Sequence, residues 1–333
     1  MSIYSKSSEI FNSLDKVRHK YGTDKLRETF QNLISNDIER AVKQINGSNT
    51  GFGTLFLLQP EIHRADVFSR LNTRNKYAIQ ITNDIVYRDS LEHPPFWTDY
   101  RKEYLAPLKW ILETGYTDDG LSDQFDEIIS TSAVILAKVY KDKNSIRIMH
   151  ELIFSRNRKR GFTYDMIWGF FETAGPEDLA LVAGRLRSSD DRDIELARRL
   201  LDFIPCISTG NKLSPARQYS NSLKWINQNK KFLQYTGETN QQTNSPSRYA
   251  VSLEAKYLQK TAADINSATA RSLTGPENKN LDIFKNLDRE TKLLLSNYSD
   301  ILSRKGRHTW NKWLQKPIDR QIEIASKMLG GSQ

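Results

Sequence analysis

Cysteine is almost missing from this chain. Cys206 is the single thiol, so no internal disulfide is available and a reducing, cytoplasmic environment is expected. It follows an apolar helical stretch and Pro205, with no base that the sequence places beside it, and reads as a structural thiol rather than a nucleophile. Long apolar runs are missing too. The longest, Leu55 to Leu58 and Ala133 to Ala137, fall far short of the roughly 20 residues a membrane helix needs, which excludes an integral span. The start, Met1 to Lys6, has no basic segment leading into an apolar run, and no secretory signal is expected.

Catalytic signatures are equally scarce. There is no phosphate-cradling G-x-x-x-x-G-K-[ST], no G-x-G-x-x-G, no G-x-S-x-G elbow and no H-E-x-x-H. Gly51-Phe52-Gly53 lacks a third glycine and reads as a turn. The five histidines, His19, His63, His93, His150 and His308, do not pair within one helical turn, and with one cysteine they predict no zinc site. His150-Glu151 has the chemistry of an acid/base pair, but adjacent helical residues point in different directions, and a surface or capping place is the expectation for it. Asp118, Asp119, Asp123, Asp126 and Glu127 miss the spacing of a calcium loop, since Gly120 directly follows the second acid. They read as a turn with acids at a helix N-terminus. No metal, no cofactor and no catalytic residue is nominated, and a non-enzymatic protein is the expectation.

What is present suits a folded helical protein. Hydrophobic residues make up 38% of the 333 and aromatics 10%, enough for a buried core and unlike a disordered chain. Charge is unevenly placed. Residues 1–100 hold 13 basic and 12 acidic side chains, residues 101–205 hold 16 and 18, and residues 206–333 hold 20 and 10. The whole net charge of +9 therefore arises in the last third, and this sets an expected division into a helical region, 1–205, and a basic helical C-terminal region, 206–333.

Helical periodicity runs through both parts. Ile10, Leu14 and Val17 predict one amphipathic helix. Leu26, Phe30, Leu33, Ile34, Ile38, Ala41, Val42 and Ile45 predict another, capped by Thr23 and stopped near Gly47, with the two meeting at Tyr21-Gly22-Thr23. Leu55 to Leu58 fits a short strand or a buried helical turn. Pro94, Pro95 and Pro107 punctuate an aromatic region (Phe96, Trp97, Tyr100, Tyr104, Trp110) expected to hold two short helices. Phe125, Ile128, Ile129, Ser132, Leu136, Val139 and Tyr140 share one face, and further helices are expected near Ser145, Thr163, Pro176 and Asp191. Past Cys206, Ser214-Pro215 reads as a cap and first helical residue, Thr236 to Ser247 as a long polar loop, and Val251 to Ser272 as helix. Beyond a Thr274-Gly275-Pro276 break, Phe284 to Leu302 predicts one strong helix, and a last one runs from Pro317 to Gly330-Gly331.

Leu179, Val182 and Leu186, the turn Ser188-Ser189-Asp190-Asp191, and then Ile194, Ala197 and Leu201 form a helix-turn-helix unit, Pro176 to Pro205, that resembles a HEAT-like helical repeat. Ile194-Glu195 stands where that family carries Val-Arg, and Ala197 comes one place early. The resemblance implies a stacked helical scaffold that binds macromolecules through its surface, and no particular ligand. The expected fold is all-α: antiparallel helical hairpins forming a short α-solenoid-like array, followed by the basic region.

Two basic clusters are the candidate binding residues. Arg156, Arg158, Lys159 and Arg160 crowd one connection, where converging cations suit phosphate or an acidic partner face. Arg304, Lys305, Arg307, Trp310, Lys312 and Trp313 interleave cations with indoles, a mix that suits phosphate contact with base stacking; Trp310 and Trp313, three apart, equally suit a core. The expected partner is another protein, reached through a helical-array surface, with nucleic acid on the basic C-terminal third as the alternative.

Overall fold

The computed structural model describes residues 13–88, 101–208, 213–238, 242–244, 246–266 and 274–329. The expectations for Ile10, His93, Pro94 to Tyr100 and Gly330-Gly331 fall outside them. The described residues form eighteen α-helices, five short 3-10 helices and two three-residue strands, and the fold is all-α as the periodicity implies. Among the described residues no helix is long and apolar enough to cross a membrane. The chain divides into two compact units, Met1–Thr173 and Ala174–Gln333. The compositional boundary at 205/206 therefore lies inside the second unit.

Unit 1 comprises α1 (Ser13–Asn36), α2 (Ile38–Ile45), α3 (Phe52–Arg64), α4 (Thr73–Val86), α5 (Leu105–Gly115), α6 (Asp123–Lys138), α7 (Lys143–Arg158) and α8 (Tyr164–Thr173). α1 breaks at Gly22, whose φ of 85° suits glycine, so the expected turn there is observed. The long stripe through Ile45 is in fact two helices. Asp37 ends one and caps the next, its carboxylate accepting from the Arg40 amide (3.0 Å). Leu55 and Leu58 are buried inside α3, which settles their segment as helix. α6 is the central element and packs against α4, α5, α7 and α8; its buried face carries Phe125, Ile128, Ile129, Ser132 and Leu136.

The start of α3 is held from a distance. Gly51, its N-cap, has no side chain to offer, and the Asp15 carboxylate of α1 accepts from the Gly51 amide (3.1 Å) and from the Thr54 hydroxyl. The Phe52 amide donates to Thr114 Oγ1 (2.9 Å). Gly53 lies against the Arg18–Asp118 ion pair (2.8 Å), and a methyl at that position would run into both side chains. The Gly51-Phe52-Gly53 piece thus serves helix capping and close packing.

Unit 2 comprises α9 (Leu179–Gly184), α10 (Asp191–Leu200), α11 (Pro205–Ser208), α12 (Pro215–Asn229), β1 (Leu233–Tyr235), β2 (Tyr249–Val251), α13 (Leu253–Leu258), α14 (Ala262–Asn266), α15 (Gly275–Lys285), α16 (Arg289–Lys305), α17 (Arg307–Leu314) and α18 (Ile318–Leu329). Several expectations need correction. Pro176 opens a turn rather than a helix, because the Asp178 carboxylate accepts from the Gly175 amide (2.9 Å) and α9 begins only at Leu179. Pro205 starts α11 instead of ending α10. Val251 to Asn266 is a strand followed by two short helices, and the expected helix from Phe284 to Leu302 is two, re-capped at Asp288. Thr274 and Glu277 form a capping box that begins α15.

Burial raises the Asp15 carboxyl above its usual value, although Thr54, Gly51 and Arg18 act to lower it. Raised in the fold, this group favours folding below the unfolded value of 3.8, and that contribution is lost as pH rises through the folded value. Asp15→Ala leaves the buried Gly51 amide without an acceptor and removes the cap; a loss of about 2–3 kcal/mol at neutral pH is expected in urea unfolding of the full chain. A loss below about 0.5 kcal/mol would show that the cap does not hold α3.

Candidate functional site

The first basic cluster is built into the fold. Arg156 is buried; its Nε and Nη2 donate to Asp119 Oδ1 (2.8 and 2.6 Å), and its other donors reach Ser130 Oγ (2.6 Å) and the Asp126 carbonyl (2.8 Å). Lys159 Nζ donates to the Asp119 carbonyl (3.2 Å), and Arg158 is half-buried with interactions of its own. Arg160 takes a left-handed φ of 61°. Its amide donates to the Asn157 carbonyl and the Gly161 amide to the Arg156 carbonyl, which closes α7 in a Schellman motif. Of the acids at 118 to 126, Asp119 pairs with Arg156 (2.6 Å), whereas Asp118 pairs with Arg18 and the Asp126 carboxylate accepts from the Gly120 amide (2.7 Å). The Arg156 guanidinium is therefore committed within the fold, while Lys159 and Arg160 are exposed.

The second cluster separates by burial. Trp310 and Trp313 are core residues, so their faces are closed to stacking on bases. Trp313 packs edge-on against Tyr257 (5.9 Å) and Tyr298 (5.5 Å), and Trp310 Nε1 donates to Ser299 Oγ (2.7 Å). Arg304 pairs with Asp300 (2.6 Å). Lys305, Arg307, Lys312 and Lys316 are exposed and have no acidic partner among the described residues. His150, expected at the surface or in a cap, is buried in α7 against Phe154 (4.9 Å between ring centres) because its face of α7 points into the core.

The structure offers a site that the charge clusters did not indicate, a groove of about 680 Å³ in unit 2. β2 lines it, together with Leu253 and Lys256 of α13. One wall is α12, through Trp225, Gln228 and Asn229; the other is α16, through Arg289, Leu293 and Asn297, which stand four residues apart and so share a face. Phe203 and Pro205 close one end. Phe203 lies between Trp225 (6.1 Å) and Tyr249 (5.8 Å). The Tyr249 hydroxyl donates to the Ala174 carbonyl (2.6 Å), and burial pushes its pKa up, so it remains a donor.

Lys256 is the chemically distinctive member. Its ammonium donates to Asn297 Oδ1 (2.9 Å) and Asn229 Oδ1 (3.3 Å), one amide from each wall. Burial lowers its pKa below the usual lysine value, while the charge of Asp300 acts the other way. No carboxylate forms an ion pair with Lys256 or Arg289 among the described residues. Cations, amides and apolar walls together suit binding of a partly apolar anionic group. Among the described residues no three His, Cys, Asp or Glu side chains gather to hold a metal.

No family model, curated protein or solved structure matches the chain.

The groove escaped the sequence because its residues lie on four short segments spread along the chain. One signal was there to be used: Leu293 and Ile301, eight residues apart in α16, are apolar yet exposed (40% and 38%). Three substitutions check the assignments above. Arg156→Met strands the buried Asp119 charge and is expected to cost about 3–5 kcal/mol, whereas Arg160→Gly relieves the left-handed residue and should stabilise by about 1 kcal/mol. Trp313→Ala is expected to cost about 3–5 kcal/mol, as loss of a buried indole does. Unfolding curves that left these values near zero would return the clusters to the surface.

Proposed function

We propose that the chain is a non-enzymatic protein-binding module whose contact surface is the groove of unit 2. The observation that carries this reading is the combination of exposed apolar walls with two cations free of acidic partners in one concave site. Interface cores are rich in aromatics and arginine, and exposed apolar side chains that gather in one place mark contact surfaces. The resemblance of Pro176 to Pro205 to a HEAT-like repeat points the same way, since such helical scaffolds bind macromolecules through their surfaces. Scaffolding of a cytoplasmic assembly is the role this reading assigns.

The test is affinity purification of the tagged full chain at low salt, with and without nuclease, beside a Leu293→Glu variant. Leu293 is exposed, so the substitution charges the groove without emptying a core. A protein partner that survives nuclease and falls about tenfold or more in the variant is the expected result. Retention of every partner by the variant would overturn the assignment.

A second reading, contact with nucleic-acid phosphates, is favoured by Lys305, Arg307, Lys312 and Lys316. Four such contacts would make log K fall against log salt with a slope of about −3 to −4, and replacing all four by Gln would flatten it. Stacking by Trp310 and Trp313 has no part in this version. Loss of all co-purifying material with nuclease, together with that slope, would put this reading first.

A further inference from the structure

The edge of β2 extends this reading. β1 and β2 pair antiparallel, Leu233 opposite Val251 and Tyr235 opposite Tyr249. The Ser252 amide donates to the Phe232 carbonyl (2.8 Å) and the Thr236 amide to the Arg248 carbonyl (3.1 Å). Residues 248, 250 and 252 therefore direct their backbone groups to β1, and residues 249 and 251 direct theirs to the opposite edge. The Tyr249 carbonyl accepts from Ser247 Oγ (2.9 Å). Neither the amide nor the carbonyl of Val251 has a partner among the described residues.

The groove lies along this edge. Three consecutive strand residues, Tyr249, Ala250 and Val251, all line it, which happens when a strand turns its edge to a space, because one face alone would present every second residue. β1 is packed by α14 instead. A strand residue whose amide and carbonyl find no partner among the described residues, as at Val251, is a template for another strand.

Resting on the protein-binding reading above, we infer that the groove receives an extended, acidic segment of a partner protein, added as a third strand beside β2 at Val251. Its backbone bonds to Val251, its carboxylates meet Lys256 and Arg289, and its apolar side chains lie against Trp225 and Leu293. Lys256 has three ammonium protons and two amide acceptors, so one donor is left for a carboxylate. A helical segment would satisfy its own backbone and leave the Val251 groups unanswered.

Two libraries of acetylated hexapeptide amides test this, both randomised at alternate positions, with glutamate fixed at the others in one and lysine in the other. The immobilised full chain is expected to enrich the glutamate library over the lysine one. N-methylation of alternate backbone amides in a selected peptide removes strand donors and keeps its charge. It should weaken binding about tenfold in one parity and leave it nearly unchanged in the other, since a strand pairs through every second residue. Lys256→Glu and Arg289→Glu should each weaken binding about tenfold; Arg289 is exposed, so its variant remains informative if Lys256→Glu fails to fold.

Equal enrichment of the lysine library, no enrichment of either, or methylation effects blind to parity would overturn strand addition. If that happens while Leu293→Glu still strips a protein partner from the full chain, protein binding stands and only the strand geometry falls. If Leu293→Glu also changes nothing, the functional reading falls with it.

Discussion

Tyr257 organises the basic end of the protein. Its ring stacks on Phe284 (4.4 Å) and meets Trp313 edge-on, its carbonyl accepts from Ser299 Oγ (2.6 Å), and its hydroxyl donates to Gln321 Oε1 (2.7 Å). Gln321 in turn donates to the carbonyls of Leu314 and Lys316. One buried side chain thus ties α13, α15, α16, α17 and α18 together, with its polar atoms paired. A buried network of this kind favours a single arrangement, because each broken bond leaves a polar group in low dielectric. The groove depends on it. Lys256 precedes Tyr257, and Asn297 stands two residues before Ser299, so fixing Tyr257 on Ser299 brings the ammonium to the amide.

Charge in this molecule divides by what answers it. In unit 1 the dense run Arg156 to Arg160 meets Asp119, Asp126 and the carbonyls at the end of α7, and a cluster that looks like a binding patch becomes a clamp on a turn. In unit 2 fewer acids are at hand. Lys256 and Arg289 line a concave surface and Lys305, Arg307, Lys312 and Lys316 an outward one, none with a paired carboxylate, and it is the unanswered cations that carry the functional reading.

Local signals were legible where one segment contains both cause and effect. The face of α6, the turn at Gly22 and the proline at the start of α12 follow from spacing, from glycine's access to positive φ, and from proline's fixed φ. The misread segments share a different feature. Asp37, Asp178 and Asp288 each accept from a nearby amide, and in doing so restart or delay a helix inside a continuous apolar pattern. The strands at 233–235 and 249–251 have only three residues apiece, too few for alternation to stand out. His150 was misplaced: Phe154 and Phe170 hold its ring in the core, and, although adjacent helical residues were expected to point apart, its Nδ1 lies 3.4 Å from the Glu151 carboxylate.

By itself, the sequence determined that the chain is helical, that its basic surplus lies in the last third, and that it carries none of the familiar catalytic motifs. These are properties of composition and of spacing within a turn or two. Only the tertiary structure decided which cations are paired, which tryptophans are buried, and that Lys256, Asn297 and the edge of β2 border one groove. Such facts depend on contacts across tens of residues, and no local pattern encodes the partner that a side chain finds when the chain folds back on itself.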